Sequence, residues 1–102
     1  MENEQLLKTV PNDIMAEQAV LGSMLVDKDA VVAAIETLKA SDFYREDNKE
    51  IYAAMYELYN AGKNIDMITV KDELTLRGSL EKVGNIEYLS SLIDIVPTTS
   101  NI

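Results

Sequence analysis

Residues 45–62 read REDNKEIYAAMYELYNAG, and this stretch decides the fold class. Ile51, Met55 and Leu58 recur at i, i+4 and i+7. Tyr52, Tyr56 and Tyr59 repeat the same spacing about 100° further round a helix. Together the two stripes cover an arc of roughly 160°, wider than a single helix–helix seam requires. The spacing predicts a helix from about Arg45 to Ala61, stopped by Gly62 at the position after its C-cap. Such a helix is either central to a bundle or partly exposed at an interface. Tyrosines suit an interface rim, where the ring packs and the hydroxyl stays wet. Tyr52, Tyr56 and Tyr59 are therefore candidates for self-association.

The same period extends in both directions. Upstream, Asn12 and Asp13 are N-cap residues before a helix over Ile14–Val26, which places Ile14, Leu21, Met24 and Leu25 on one face. Asp27 caps a second stretch carrying Val31, Val32, Ile35 and Leu38. Ala40–Asp42 forms a linker into Phe43 and Tyr44. Downstream, Lys63–Ile68 is too short and irregular to support a strand. Thr69 starts a short helix, with Asp72 completing a variant capping box; that helix buries Val70 and Leu74 and stops at Gly78. Leu80 and Val83 point inward from a loop. Asn85 caps a last helix with Tyr88, Leu89, Leu92 and Ile93 as its apolar face, ended by Pro97. The expectation is an all-α, compact bundle of about five to six short helices over residues 12–102, preceded by a mobile lead-in over 1–11. At the far end Thr98, Thr99, Ser100 and Asn101 are all N-cap types ahead of Ile102. A start signal placed there predicts that the parent chain continues into a further helix.

Composition narrows the function. A chain of 102 residues is at most one domain, and it buries roughly 60–70% of its unfolded surface without help from metal or disulfide. It has neither His nor Cys, which removes the commonest general base, thiol nucleophiles and the usual transition-metal ligands together. No G-x-x-x-x-G-K-[ST] loop cradles phosphate. Asp27-Lys28-Asp29 begins like a calcium loop, but Val32 and Leu38 stand where the required Gly and Glu belong. The pair instead complements a helix N-terminus. No catalytic, cofactor-binding or metal-ligating residue is assigned. A carboxylate- or metal-dependent hydrolase would need a cleft that nothing here indicates.

Eighteen acids against nine bases give a net charge of −9. Duplex-binding modules gain most of their affinity from Lys and Arg neutralising phosphates, whereas Lys39, Arg45, Lys49 and Lys63 are scattered among acids. This surface suits a basic or neutral protein partner. The rival reading is a small helix-turn-helix-like DNA-binding domain built from the third and fourth helices. No apolar run approaches a membrane span, and Met1–Val10 lacks a signal-peptide pattern, so a cytoplasmic location is expected.

The order Ala16-Glu17-Gln18-Ala19-Val20-Leu21-Gly22, then Asp42-Phe43-Tyr44, Ile65-Asp66 with Thr69-Val70, Leu74, Leu80-Glu81 with Gly84, Tyr88-Leu89, Pro97-Thr98 and Asn101 resembles the N-terminal domain of DnaB-type bacterial replicative DNA helicases. The resemblance runs from about Pro11 to Ile102. It implies a non-catalytic interaction and oligomerisation head, followed in the parent by a helical hairpin and a RecA-like motor that uses ATP and Mg2+ to unwind DNA 5′→3′. It implies that heads pair into the collar of a hexamer and contribute to binding primase and, in some systems, a helicase loader, with no direct nucleic-acid binding by the head. By the same resemblance Glu17 and Tyr88 are the candidates for partner contact. Gly22 is a close-packing position, and Phe43, Asp66, Thr69 and Gly84 are structural. The sequence departs from the family's habit at Met15, often Glu; at Asn48, commonly His; and at Asn85, usually Gly. The second and third substitutions suit a helical surface and an N-cap.

Overall fold

The computed structural model describes residues 11–96. Among them are five α-helices, no strand and one short 3-10 turn: α1 (Pro11–Val26), α2 (Lys28–Thr37), the turn (Ala40–Asp42), α3 (Glu46–Asn60), α4 (Met67–Leu76) and α5 (Asn85–Ile95). The fold is all-α, as the periodicity requires. The lead-in over 1–10, the terminator Pro97 and the cap signals of Thr98–Asn101 lie outside the described residues.

Local chemistry sets most helix ends. α1 begins at Pro11 rather than after Asn12 and Asp13, because proline fits a first turn whose N–H groups have no partner in any case. Asp27 caps α2 as expected, its carboxylate accepting from the Asp29 backbone N–H at 2.9 Å. α3 and α4 close with the same motif. The N–H two residues beyond the cap reaches back five residues, Lys63 to the Leu58 carbonyl at 3.0 Å and Ser79 to the Leu74 carbonyl at 2.9 Å. Gly62 (φ 74°) and Gly78 (φ 73°) take the left-handed turn that this closure needs.

Two starts differ from the sequence reading. α4 is capped by Asp66, with Thr69 as the third helical residue: Asp66 Oδ1 accepts from the Thr69 N–H and Thr69 Oγ1 accepts from the Asp66 N–H, both at 2.9 Å. Beginning there brings Met67 against the core beside the fully buried Val70 and Leu74. The cap of α5 is Gly84, not Asn85; both hold positive φ, 101° and 61°. Asparagine is among the few side chains that tolerate that region.

α3 is the central element. It packs against α1, the 3-10 turn and α4, while α1 also holds α2 and α5, and α4 meets α5. Ile51, Tyr52, Ala54 and Met55 are completely buried and Leu58 nearly so, among Leu21, Met24, Val70, Leu74, Leu89 and Leu92. Tyr52 is therefore a correction to the self-association stripe, since it has no surface to offer. Phe43 stacks on its ring at 4.9 Å, and its hydroxyl donates to the carbonyls of Leu38 (2.8 Å) and Ala34 (3.2 Å), locking α3 to the end of α2. Tyr56 and Tyr59 are only partly covered by their neighbours and remain exposed, at 43% and 38%.

At the far side of α3, Arg77 Nε donates to Glu50 Oε2 at 2.7 Å and the buried Ser79 Oγ donates to the same oxygen at 2.9 Å. The Arg77 hydrogen bond, against the opposing effect of burial and with help from Ser79, holds the Glu50 carboxyl below its usual 4.5. A depressed carboxyl stabilises the fold above the unfolded value, and that contribution disappears as pH falls through the folded one. Because both side chains are partly solvated, the contribution is below about 1 kcal/mol. Glu50→Gln is expected to lower stability by that much at pH 7, with the gap closing in acid; urea unfolding at pH 7 and pH 3 checks it.

Candidate functional site

The polar residues of three helices meet at the N-terminus of α3. Arg45, the cap residue of α3, offers no side-chain cap of its own. Glu17, reaching over from α1, holds the chain just ahead of the helix instead: its carboxylate accepts the Tyr44 N–H, the Arg45 N–H at 3.4 Å and the Asn48 Nδ2 amide at 2.9 Å. A carboxylate at this end is also favoured by the helix dipole. From Asn48 the chain of bonds continues outward. Tyr88 on α5 donates its hydroxyl to Asn48 Oδ1 at 2.6 Å, and Gln18 Nε2 donates to the Tyr88 oxygen at 3.2 Å. Burial pushes the Tyr88 hydroxyl above its usual 10.0, so the group stays protonated and able to donate. The Arg45 guanidinium lies 5.7 Å above the Tyr88 ring and pairs with Asp47.

This arrangement fixes the angle between α1, α3 and α5. It satisfies every buried side-chain polar atom it uses; among the described residues none is left without a partner. It brings Glu17 and Tyr88 together, the two residues singled out for partner contact, but through an intermediary. Glu17 is occupied by three donors of its own chain, which makes it a positioning residue. Tyr88 keeps part of its ring at the surface beneath Arg45. Beside Glu17 opens a groove of about 320 Å³ lined by Ala16, Val20, Leu38, Asp42, Phe43 and Tyr44.

Asn48 is the residue that the sequence reading missed. It is wholly buried, not on a helical surface. The signal was present: Asn48 stands three residues before Ile51 and seven before Met55, on the core stripe. A polar residue there needs partners on neighbouring helices.

The remaining sites fall apart spatially. Gly22 packs directly on α5, with an ideal Cβ position 2.1 Å from the Leu92 carbonyl oxygen. Phe43 is buried against Tyr52, Asp66 and Thr69 close the capping box, and Gly84 begins α5. In the helix-turn-helix alternative, α4 would be the reading helix. Its cations are already engaged, Lys71 with Asp72 at 3.2 Å and Arg77 with Glu50 and Glu73, and its exposed face carries Ile68 and Leu76. That is a poor surface for phosphate. Among the described residues no group of three acids could hold a metal ion, and no helix is long and apolar enough to cross a membrane.

A five-helix bundle tied by a cross-helix polar network, acidic overall, defines a small all-α domain. The chain belongs to the family of DnaB-like helicase N-terminal domains, whose profile it matches over residues 9–102. It is 45% identical over 94 residues to the replicative DNA helicase DnaB of Leifsonia xyli subsp. xyli, covering 92% of this chain and 21% of that protein. It is 44% identical over 92 residues to the DnaB of Geobacillus stearothermophilus, covering 90% of this chain and 20% of that protein. Its fold is similar to the crystal structure of the N-terminal domain of DnaB helicase from Mycobacterium tuberculosis, with a TM-score of 0.80 and 44% identity across 86% of this chain and 61% of that one. The chain thus spans about a fifth of the length of the curated relatives it matches.

Proposed function

We propose that this domain is a non-catalytic interaction and oligomerisation module of a hexameric replicative helicase in the bacterial cytoplasm, one that builds its N-terminal collar and contributes to binding primase and, where one exists, a loader. The family match over residues 9–102 carries the reading. In a protein of the relatives' length, ATP, Mg2+ and the 5′→3′ unwinding of DNA belong to other parts of the chain. The net charge of −9 supports a head that meets proteins rather than nucleic acid.

Within this reading Tyr88 is the partner-contact residue. A half-buried aromatic with a cation over its ring has the character of an interface hot spot. Glu17 acts behind it by setting the N-terminus of α3. Self-association falls to Tyr56 and Tyr59, the two exposed tyrosines of α3. The test is calorimetric titration of the chain with the helicase-binding domain of the cognate primase. A saturable complex, weakened by Tyr88→Ala in a variant shown by circular dichroism to be folded, is the expected result. No complex with the chain, alone or extended through the hairpin, overturns the primase assignment.

A further inference from the structure

The basic side chains of this acidic domain divide into two sets. Arg45, Lys49, Lys71 and Arg77 each lie within ion-pair distance of a carboxylate. Lys28, Lys39, Lys63 and Lys82 have no such partner among the described residues. Two of this second set, Lys28 and Lys63, line the same pocket. It opens between the first turns of α2, the last turn of α3 and the connection that follows, and its other walls are Val31, Val32, Tyr59, Asn64 and Ile65. Val32 and Tyr59 are exposed at 41% and 38%, so the apolar part faces solvent in a pocket that two lysines line.

We propose that this pocket docks a short acidic peptide segment of another protein through one large apolar side chain. The cavity is about 230 Å³, below the range of roughly 300–1,000 Å³ usual for whole small-molecule ligands. It fits a single inserted side chain. The two lysines select carboxylates on either side of that residue, because each is a point charge without an ion-pair partner among the described residues. Asp27 next door caps α2 through the Asp29 N–H and is ion-paired to neither lysine among the described residues. The occupant must also be short. A chain carrying net charge −9 repels an extended acidic partner everywhere else. Tyr59 contributes ring area at low conformational cost, as aromatic residues do at recognition surfaces. The proposal goes beyond the collar reading; the pocket shares Tyr59 with the proposed self-association face and lies at the end of α3 opposite Tyr88.

The probe is the blocked hexapeptide Asp-Asp-Leu-Phe-Asp-Asp, titrated into the isotope-labelled chain and followed by amide chemical shifts. Saturable shifts confined to the pocket's lining residues are expected. Lys28→Glu with Lys63→Glu is expected to weaken binding about tenfold or more, since two attractions become repulsions at a partly desolvated rim. Lys39→Glu with Lys82→Glu makes the same change in net charge away from the pocket and is expected to leave the affinity within about twofold. The absence of saturable shifts, shifts centred elsewhere, or equal weakening by both pairs overturns the proposal. So does the same shift pattern appearing with rising protein concentration in the absence of peptide, which would make the occupant a second copy of this chain. Each variant's spectrum also reports that it is folded.

Discussion

Gly22→Ala is expected to destabilise the domain by about 3 kcal/mol or more, although alanine normally favours a helix interior over glycine by about 1 kcal/mol. The added Cβ would sit 2.1 Å from the Leu92 carbonyl oxygen, 2.9 Å from its carbon and 2.8 Å from Val96 Cγ2. A side-chain methyl such as that of Val96 can rotate away. The Leu92 carbonyl is backbone inside α5 and moves only if the helix moves. That movement is opposed on both sides. Leu89 and Leu92 have no exposed surface, and Tyr88 is held to Asn48 at 2.6 Å. Separating α1 from α5 by the ångström or more that a methyl requires would open voids beneath Leu21 and Leu92. Underpacked apolar sites of that kind cost about 24 cal/mol per Å³ of cavity. Urea denaturation followed by circular dichroism measures the difference, with Gly78→Ala as a comparison. Gly78 has open space around its Cβ position and an unfavourable positive φ, so its cost is about 1 kcal/mol of backbone strain rather than a clash. A Gly22→Ala protein as stable as the parent would show that α1 and α5 do not approach as described.

Gly22 also shows where sequence legibility ends. A glycine inside an amphipathic helix signals either a tolerated cost or a close approach, and only the α1–α5 crossing decides between them. Features governed by local chemistry were readable: Asp27 as a cap, Gly62 and Gly78 as terminators, and Ile51, Met55 and Leu58 as core. Features governed by what lies opposite were not. Tyr52, Tyr56 and Tyr59 share one spacing and one residue type. Tyr52 alone is covered, because α2 and Phe43 end directly over it, with Ala34 and Leu38 offering carbonyls to its hydroxyl. Asp66 and Thr69 each head a plausible capping box, and the burial of Met67 tips the start of α4 to the earlier one. The candidate site divided in the same way. The family resemblance singled out Glu17 and Tyr88 as candidates for contact, yet their joining through Asn48 depends on three helices converging.

That joining makes Asn48→Ala the second large effect. Asn48 has no exposed surface, and its amide bridges a carboxylate and a phenol from two other helices. Truncation removes one hydrogen bond to a charged group, worth about 1.5–3 kcal/mol, and one neutral bond of about 1 kcal/mol. It also leaves a small void at the α1–α3–α5 junction. The expected loss is about 3 kcal/mol, because Glu17 keeps its two backbone donors and the half-buried Tyr88 can turn to water. Tyr88→Phe alone is expected to cost about 1 kcal/mol, and close to nothing once Asn48 is alanine, since residues in one hydrogen-bond network do not add. Asn48→Asp is expected to be at least as harmful as Asn48→Ala, because it sets a second carboxylate against Glu17 in a buried site. Denaturant unfolding of the two single variants and the double variant closes the cycle. An Asn48→Ala protein within 1 kcal/mol of the parent, or additive with Tyr88→Phe, would mean that the network is incidental to the packing. If the network holds the junction, its effect extends to the surface. Asn48 and Gln18 fix the Tyr88 hydroxyl, and with it the ring beneath Arg45, so Asn48→Ala is expected to weaken partner binding without touching the partner. That loss should resemble the loss on Tyr88→Ala and should not be reproduced by Glu50→Gln on the opposite side of α3.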